Sequence, residues 1–189
     1  MKLHPDAAYW NRGVANVPDM TGAAHMLDGH DFEEILPALG LTLPLLDVLD
    51  VGCGTGRLRR LCRDYVGVDI SQSMVDYCTR RGILATTITG PECLLRVRPG
   101  NRFSVATAIS VCTHVDDAER YALLKAMGTV ATDVVADIIP GDGSGGVAMW
   151  TCDPSRFEAM FERARLRIVA VKDWRWDDHV HRYYRATRA

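Results

Sequence analysis

The chain has 189 residues, of which 48% are apolar and 24% are charged, and its formal net charge is −2. This balance is typical of an ordinary globular domain and gives no general attraction to nucleic acid or to an anionic membrane. No apolar run approaches the roughly 20 residues of a membrane span, and the N-terminus lacks an apolar signal region, so we expect a cytoplasmic protein.

The first part of the chain carries no strand pattern. Residues 6–14 and 30–40 are predicted as helical pieces, with a loop between them. We expect residues 1–44 to form a helical cover over a core at residues 45–189, within a single domain that spans residues 1–189.

From residue 45 onward, predicted strands and helices alternate. Short apolar runs, typical of buried strands, predict strands at 45–51, 65–70, 83–89, 103–111, 131–139, 167–174 and 181–188. Segments of helical pattern predict helices at 56–64, 71–82, 116–128 and 153–166. Ser71 and Asp153 stand where helix caps are expected, and Gly82 and Gly128 where two helices end. This alternation implies a mainly parallel sheet, which binds ligands beyond the carboxyl ends of its strands.

Three glycines follow the first predicted strand in the stretch VLDVGCGTGRL. Gly52, Gly54 and Gly56 permit a left-handed backbone and the close approach of a ligand. The helix predicted to start near Gly56 would point its free N–H groups at the same space. The spacing differs from the dinucleotide fingerprint G-x-G-x-x-G, because Arg57 occupies the place of the third glycine. This difference weakens an interpretation of the loop as a nicotinamide dinucleotide site.

An acid ends the second predicted strand, at Asp69. An ionised carboxylate has two acceptor oxygens and can therefore bind both hydroxyls of a ribose. The alternative role is to cap the next helix, although Ser71 is already available for that. The glycine loop upstream favours ribose binding.

These segments resemble the class I S-adenosylmethionine-dependent methyltransferases. LDVGCGTG is similar to their first motif, YVGVDIS to their second, and FSVATAISVCTHV to their fourth-strand motif. The resemblance implies S-adenosyl-L-methionine as cofactor and S-adenosyl-L-homocysteine as product. It also implies an α/β fold: a three-layer Rossmann-like sandwich with a mainly parallel seven-stranded sheet. The implied strand order is 3-2-1-4-5-7-6, with the last strand antiparallel, and with an N-terminal helical cover.

The resemblance also implies which residues contact the cofactor. The methionine part would lie against the loop after the first strand, the ribose against the acid of the second, and the adenine against the residues that follow. The implied residues are Gly52, Cys53, Gly54, Thr55, Gly56, Asp69, Ile70, Met74, Gly90, Glu92, Ser110 and Val111, with Tyr9 and Trp10 closing over the donor. For Met74, Tyr9 and Trp10, plain packing is the alternative role.

Two positions depart from the family pattern. Pro91 stands where family members often carry an acid that meets the adenine, so Gly90 and Glu92 are assigned by position alone. Ser104 replaces the usual aspartate near the start of the fourth strand. Neither change removes the predicted ribose or methionine contacts.

Methyl transfer from a sulfonium mainly requires alignment of the acceptor. A general base is needed only when the acceptor binds in its protonated form. His114, just past the fourth strand, is the candidate catalytic residue, and its alternative role is to position the loop or to begin the next helix. Near the expected pocket mouth, His25, Asp28, His30 and Asp31 either contact an acceptor or are solvated.

Three weaker patterns carry little functional weight. His179 and His181 would share one face of a strand, but no motif supplies a third ligand, so no metal site is predicted. Arg57, Arg59, Arg60 and Arg63 make the first predicted helix basic, which a solvated helix face explains. The six cysteines are scattered without a Cys-x-x-Cys pair, as expected of reduced thiols.

The sequence therefore predicts an enzyme that methylates an oxygen or nitrogen of a small-molecule acceptor. It carries no appended nucleic-acid module and lacks the N/D-P-P-Y/F motif of many amino methyltransferases, so neither nucleic acid nor membrane is an expected partner. One alternative is an RNA or protein methyltransferase that uses the basic helix. The other is a non-catalytic partner subunit, which would need neither the glycine loop nor Asp69. Monomer and homodimer both stay open.

Overall fold

The computed structural model describes residues 31–143, 151–176 and 179–189. In chain order its helices and strands are α1 (Phe32–Ala38), β1 (Val48–Val51), β2 (Tyr65–Asp69), α2 (Gln72–Arg80), β3 (Ala85–Thr87), α3 (Leu94–Val97), β4 (Phe103–Ala108), α4 (Asp117–Val130), β5 (Ala131–Pro140), β6 (Thr151–Cys152), α5 (Pro154–Arg163), β7 (Leu166–Trp176) and β8 (His179–Arg188). Two short 3₁₀ helices, Arg57–Leu61 and Pro91–Cys93, follow β1 and β3.

The sheet has the order β3-β2-β1-β4-β5-β8-β7, with β6 paired beside β5. Strands β1 to β5 pair in parallel, while β8 runs antiparallel to both β5 and β7. The predicted order is confirmed, since β7 and β8 are the sixth and seventh strands of the prediction. The additional strand β6 has two residues, which is too short for a recognisable pattern in the sequence.

Helices cover the sheet on both faces, which gives the predicted three layers. On one face, α1, the first 3₁₀ helix and α2 contribute Phe32, Ile35, Leu36, Leu58 and Cys78 to a buried cluster. On the other face, α3, α4 and α5 contribute Leu94, Leu124, Met127, Phe157 and Phe161. The central strands are apolar on both sides because both sides are covered.

Two helices begin at the side-chain caps that the sequence predicts. Ser71 accepts a hydrogen bond from the N–H of Met74 at the start of α2, as predicted. Asp153 accepts from the N–H of Arg156 at the start of α5, also as predicted. Gly128 does not end α4, which continues to Val130. A Cβ at Gly128 would lie 2.8 Å from Leu166 Cδ2, so this glycine allows helix and strand to pack closely.

The helix predicted at 56–64 is wrong. Residues Arg57–Leu61 form a single 3₁₀ segment, and Cys62 already bridges to Leu45 as extended chain. Between β1 and β2 the glycine loop occupies residues 52–56 and the chain is extended again at Cys62, so only Arg57–Leu61 is left for a helix. The glycine loop is therefore followed by a single 3₁₀ segment and not by the predicted α-helix, whose dipole would have pointed at the loop.

The helical piece predicted at 6–14, with Tyr9 and Trp10, lies outside the described residues, as do His25, Asp28 and His30. Within the predicted cover, the structure describes α1 and the residues that follow it. Among the helices it describes, none is long and apolar enough to cross a membrane.

Candidate functional site

The predicted site residues converge at one edge of the sheet. Strands β3, β2, β1 and β4 are neighbours in parallel, so their carboxyl ends lie side by side. The segments that follow these ends are 52–56, 69–74, 88–92 and 110–114. All twelve predicted cofactor-binding residues in the described chain belong to them, whereas Tyr9 and Trp10 lie outside it.

The three glycines of the loop serve different purposes. All three have a positive φ, of 66° at Gly52, 53° at Gly54 and 76° at Gly56. A Cβ at Gly52 would lie 2.4 Å from Val111 Cγ2, and a Cβ at Gly56 would lie 2.9 Å from Ile83 Cδ1. These two glycines are therefore required by the packing of the protein itself. Apart from its two chain neighbours, no atom of the described residues would lie within 4 Å of a Cβ at Gly54, so this backbone faces space in that part of the chain where a ligand can approach.

Asp69 fastens the glycine loop to the end of β2. Its Oδ2 accepts from the N–H of Gly54 at 2.8 Å, and its Oδ1 accepts from the N–H of Ser71 at 2.9 Å. Burial raises the pKa of Asp69, while hydrogen bonds from the N–H groups of Ser71, Gly54 and Ile70 oppose that rise. These three donors use three of the roughly four lone-pair sites of the carboxylate, so one site is left that could accept a hydroxyl of a ribose.

Cys53 and Thr55 contribute to the site in different ways. Cys53 is 3% exposed and belongs to the buried cluster under α1. Its thiol and that of Cys78 both point at the Gly54 carbonyl oxygen, at 3.9 Å and 3.3 Å. Thr55 is half-buried in the loop. Cys53 can therefore contact a ligand through its backbone, with its side chain packed beneath the loop.

The residues predicted for the adenine lie beside Asp69. Ile70 is 42% exposed, which is unusual for a large apolar residue at the end of a buried strand. Met74 is half-buried in the first turn of α2. The N–H of Ile88 donates to the Asp69 carbonyl at 2.9 Å, which brings the segment after β3 alongside. The Glu92 carboxylate folds back toward Gly90, whose Cβ would lie 2.6 Å from Glu92 Oε2.

The segment after β4 forms a tight turn at the same edge. Ser110 has a positive φ of 60°, a strained conformation for a residue with a side chain. The N–H of His114 donates to the Val111 carbonyl at 2.9 Å, and Thr113 Oγ1 donates to the Ser110 carbonyl at 3.3 Å. The turn therefore brings Val111 against Gly52 and holds the half-buried His114 nearby.

A buried carboxylate lies directly beneath the glycine loop. Asp50 accepts hydrogen bonds from Tyr65 Oη and from Thr107 Oγ1, both at 2.8 Å. Burial raises the pKa of Asp50 to about 6, although the two hydroxyl donors and the charge of Arg57 partly oppose the rise. In the sequence, only an acid inside an apolar run indicates this network.

Replacing Asp50 with asparagine should stabilise the protein at neutral pH. Because burial raises the pKa of Asp50 in the folded protein to about 6, above its ordinary value of 3.8, the folded protein loses stability as pH rises through that window. At ~1.4 kcal/mol per pKa unit, the ionised carboxylate costs about 3 kcal/mol. We expect urea unfolding to show Asp50→Asn more stable than the parent by up to that amount at pH 8, with the gap closing below pH ~4.

The exposed Asp64→Asn is the matched control, because it removes a carboxylate outside the core. It should change the unfolding free energy by less than about 0.5 kcal/mol at either pH. A destabilised Asp50→Asn at pH 8 would contradict the prediction.

A second buried pair lies further along the same edge. Asp137 is fully buried in β5 and accepts from the N–H of Ser110 at 2.5 Å. Its other oxygen lies 2.6 Å from His181 Nδ1 of β8. The carboxylate thus supports the strained Ser110 backbone and orients an imidazole. The signal in the sequence was an acid within the otherwise apolar run ATDVVADII.

The structure explains two of the weaker sequence patterns, the basic segment after Gly56 and the histidines of the last strand, differently from the sequence analysis. Arg57 does not lie on a solvated helix face. Its Nη2 donates to the Ile109 carbonyl at 3.2 Å and to Ser110 Oγ at 3.3 Å. Its guanidinium lies 4.8 Å from the centroid of the Phe32 ring. His181 belongs to a pair with Asp137. Within the described ranges, no group of three or more His, Cys, Asp or Glu side chains is arranged to hold a metal ion.

Comparison with known proteins identifies the domain. A family model described as a methyltransferase domain matches residues 48–133, from β1 to the start of β5. No curated protein matches the chain in sequence.

Solved structures with similar folds share little sequence with the chain. A SAM-dependent methyltransferase from Leishmania major has a TM-score of 0.76 at 15% identity, covering 96% of this chain and 81% of that one. Magnesium protoporphyrin IX methyltransferase from Synechocystis, solved with bound SAH, has a TM-score of 0.68 at 19% identity, covering 85% and 81%. The (4+2)-cyclase SpnF has a TM-score of 0.63 at 16% identity, covering 82% and 78%. These likenesses show the fold.

Fold and site together define an α/β protein whose glycine loop lies at the carboxyl end of β1. The methyltransferase-domain model begins at this strand and matches residues 48–133, and the comparisons support a class I S-adenosylmethionine-dependent methyltransferase family. The predicted family, fold, enzyme class and cofactor are thereby confirmed.

Proposed function

We propose that the chain methylates an oxygen or nitrogen of a small-molecule acceptor, with S-adenosylmethionine bound against Gly52–Gly56 and Asp69. The observation that carries the donor site is Gly54, whose backbone faces open space while its N–H is tied to Asp69 at 2.8 Å. The other two glycines are explained by packing, so the open position is where a ligand belongs.

The residues present fit this donor. When bound, the donor supplies an electrophilic methyl group on a sulfonium sulfur. Asp69 would accept a hydroxyl of the ribose, and Ile70, which is 42% exposed, would cover one side of the adenine. Ser110 and Val111 would face the methionine part from the end of β4, since Val111 already packs against Gly52.

His114 is the residue we propose to take a proton from a hydroxyl or amine acceptor. It lies in the turn after β4, where the Val111 carbonyl accepts from its backbone N–H at 2.9 Å. An imidazole in its neutral form can accept a proton from a hydroxyl or an amine. The rest of catalysis at this site is alignment of the acceptor.

The alternative of RNA or protein methylation draws less support from the charges. Arg57 is turned into the site, and Arg60 pairs with Glu33 at 3.3 Å. Only part of the basic segment is then available to a polyanion. The SpnF likeness shows that this fold is also found in a cyclase, so turnover must be measured as methyl transfer.

We propose a cytoplasmic location for the enzyme. All six cysteines are free, and five of them are buried. A set of unpaired thiols is typical of a reducing compartment.

Asp69→Ala should weaken SAH binding by about ten- to a hundredfold. Loss of hydrogen bonds to a charged group costs roughly 1.5–3 kcal/mol, and each tenfold in Kd is worth about 1.4 kcal/mol. Isothermal titration of SAH into the parent and the variant is the measurement. Its matched control is Asp133→Asn, which removes a partly buried carboxylate that pairs with Arg185 at 2.9 Å, at the other end of β5.

The control should bind SAH within about twofold of the parent. An Asp69→Ala protein that folds and binds SAH equally well would refute the ribose assignment. Failure of the parent to bind SAH would refute the donor site as a whole.

A further inference from the structure

A strained backbone and a fully buried carboxyl group meet beside the donor loop. Ser110 has a positive φ of 60°, which residues with a side chain rarely adopt. Asp137 has no exposed surface, and burying a carboxyl group is costly. A hydrogen bond of 2.5 Å from the Ser110 N–H to Asp137 Oδ1 joins the two. Two costly features in direct contact indicate a function that offsets their cost.

The sheet itself fixes the position of the Asp137 carboxyl group. Asp137 lies in β5, which pairs with β4 on one side and with β8 on the other. Its Oδ2 lies 2.6 Å from Nδ1 of His181, on β8. A group on a central strand is held more precisely than a group on a loop. The N–H of Ser110 is therefore bound to a rigid part of the fold.

Two arginines hold other atoms of the same turn, which spans residues 110–114. Arg57 Nη2 donates to the Ile109 carbonyl at 3.2 Å and to Ser110 Oγ at 3.3 Å. Arg120, which is 3% exposed, donates from Nε to the Cys112 carbonyl at 2.7 Å. These bonds hold oxygen atoms of the turn, whereas the carboxylate of β5 holds the N–H group next to the strained φ.

The turn connects the carboxylate to the donor loop. Val111 follows Ser110, and a Cβ at Gly52 would lie 2.4 Å from Val111 Cγ2, so Val111 packs directly on the glycine loop. The same turn carries His114, whose N–H donates to the Val111 carbonyl at 2.9 Å. A change in the φ of Ser110 would therefore move Val111 away from the loop and displace His114 with it.

We propose that Asp137 is a positioning residue for methyl transfer, which binds the N–H of Ser110 and thereby keeps Val111 against the donor loop. The inference rests on the proposed function, since it concerns the same donor site. Asp137 contacts neither donor nor acceptor in this arrangement, because its effect passes through the turn. Removal of its oxygen atoms should therefore weaken donor binding beyond what a general loss of stability would cause.

Asp137→Ala should bind SAH about tenfold less tightly than the parent, or weaker still, in isothermal titration, because the N–H of Ser110 loses its acceptor. Asp137→Asn keeps an oxygen acceptor in nearly the same place, so it should bind SAH within about threefold of the parent. The matched control is Val135→Ala, since Val135 is also fully buried and lies two residues earlier on the same face of β5. This control should lose stability in urea yet bind SAH within about twofold of the parent.

A double-mutant cycle separates positioning from a general structural role. Glycine adopts a left-handed φ without strain, so Ser110→Gly should remove most of the need for the carboxylate. In the Ser110→Gly background, Asp137→Ala should therefore weaken SAH binding by no more than about threefold. A merely structural residue would cost the same factor in both backgrounds. Equal factors, or a Val135→Ala variant that loses as much SAH affinity as Asp137→Ala, would overturn the proposal.

Hydrogen exchange at the Ser110 amide tests the same coupling in the parent and needs no folded variant of Asp137. This amide should exchange slowly, and about tenfold more slowly again when SAH is saturating, because donor binding and the position of the turn are coupled. Fast exchange, or exchange that saturating SAH leaves unchanged, would contradict the proposal. If the parent does not bind SAH, the donor proposal itself fails, and exchange in the SAH-free protein still shows whether the carboxylate holds the turn.

Discussion

Gly54→Val should reduce SAH affinity by on the order of a hundredfold or more, because overfilling a close-packed contact costs about 1–3 kcal/mol and the backbone contact is lost as well. The side chain would enter space in which the described residues, other than the two chain neighbours, place no atom within 4 Å of the Cβ position. Isothermal titration with SAH measures the loss. The prediction is specific to Gly54, because substitutions at Gly52 or Gly56 would collide with Val111 or Ile83 and so disturb the fold itself.

Gly82→Val is the matched control for backbone strain. Gly82 follows α2 with a φ of 71°, against 53° at Gly54, and its Cβ would also meet nothing within 4 Å. Both variants therefore force valine into a left-handed backbone and should lose comparable stability in urea. Only the Gly54 variant should lose SAH affinity. Equal affinities in the two folded variants would place the donor elsewhere.

Much of the fold could be predicted because its signals are local. Ser71 and Asp153 mark the starts of α2 and α5, and the apolar runs mark strands buried on both faces. The basic segment after Gly56 has a helical pattern, yet it forms a short 3₁₀ helix. The chain leaves that segment at Cys62 to pair with Leu45, and such pairing is tertiary information that propensity does not contain.

In the candidate site, too, local sequence signals predict some residues, whereas only tertiary packing reveals the others. Gly54 and Asp69 could be predicted because they are close in sequence to strand ends that the motif marks. Asp137 and His181 are 44 positions apart in sequence and lie on the neighbouring antiparallel strands β5 and β8. No local sequence pattern therefore predicts that they form a pair. Arg120 was hidden for another reason: a cation on a helix normally faces solvent, and only packing shows that this one is 3% exposed.

His114→Ala should lower the rate of methyl transfer by about a hundredfold while leaving SAH affinity nearly unchanged, if His114 removes a proton from the acceptor. A base must be deprotonated to act, so the parent rate should fall at acidic pH, where the imidazole is protonated. That acid limb should vanish in the variant. Turnover of labelled donor across pH 5–9 with the acceptor class proposed above is the measurement.

A variant of a second histidine, His181, shows whether His114 or another group takes the proton. His181 is held by Asp137 at 2.6 Å, and the same carboxylate accepts from the backbone of Ser110 in the turn that carries His114. His181→Gln removes an imidazole while leaving His114 in place, so it should retain the acid limb even if its rate falls. If the limb instead survives in His114→Ala and disappears in His181→Gln, the proton is taken by the pair in β5 and β8. If it survives in both, the acceptor binds already deprotonated or gives its proton to water, and catalysis reduces to alignment by the glycine loop and the 110–114 turn.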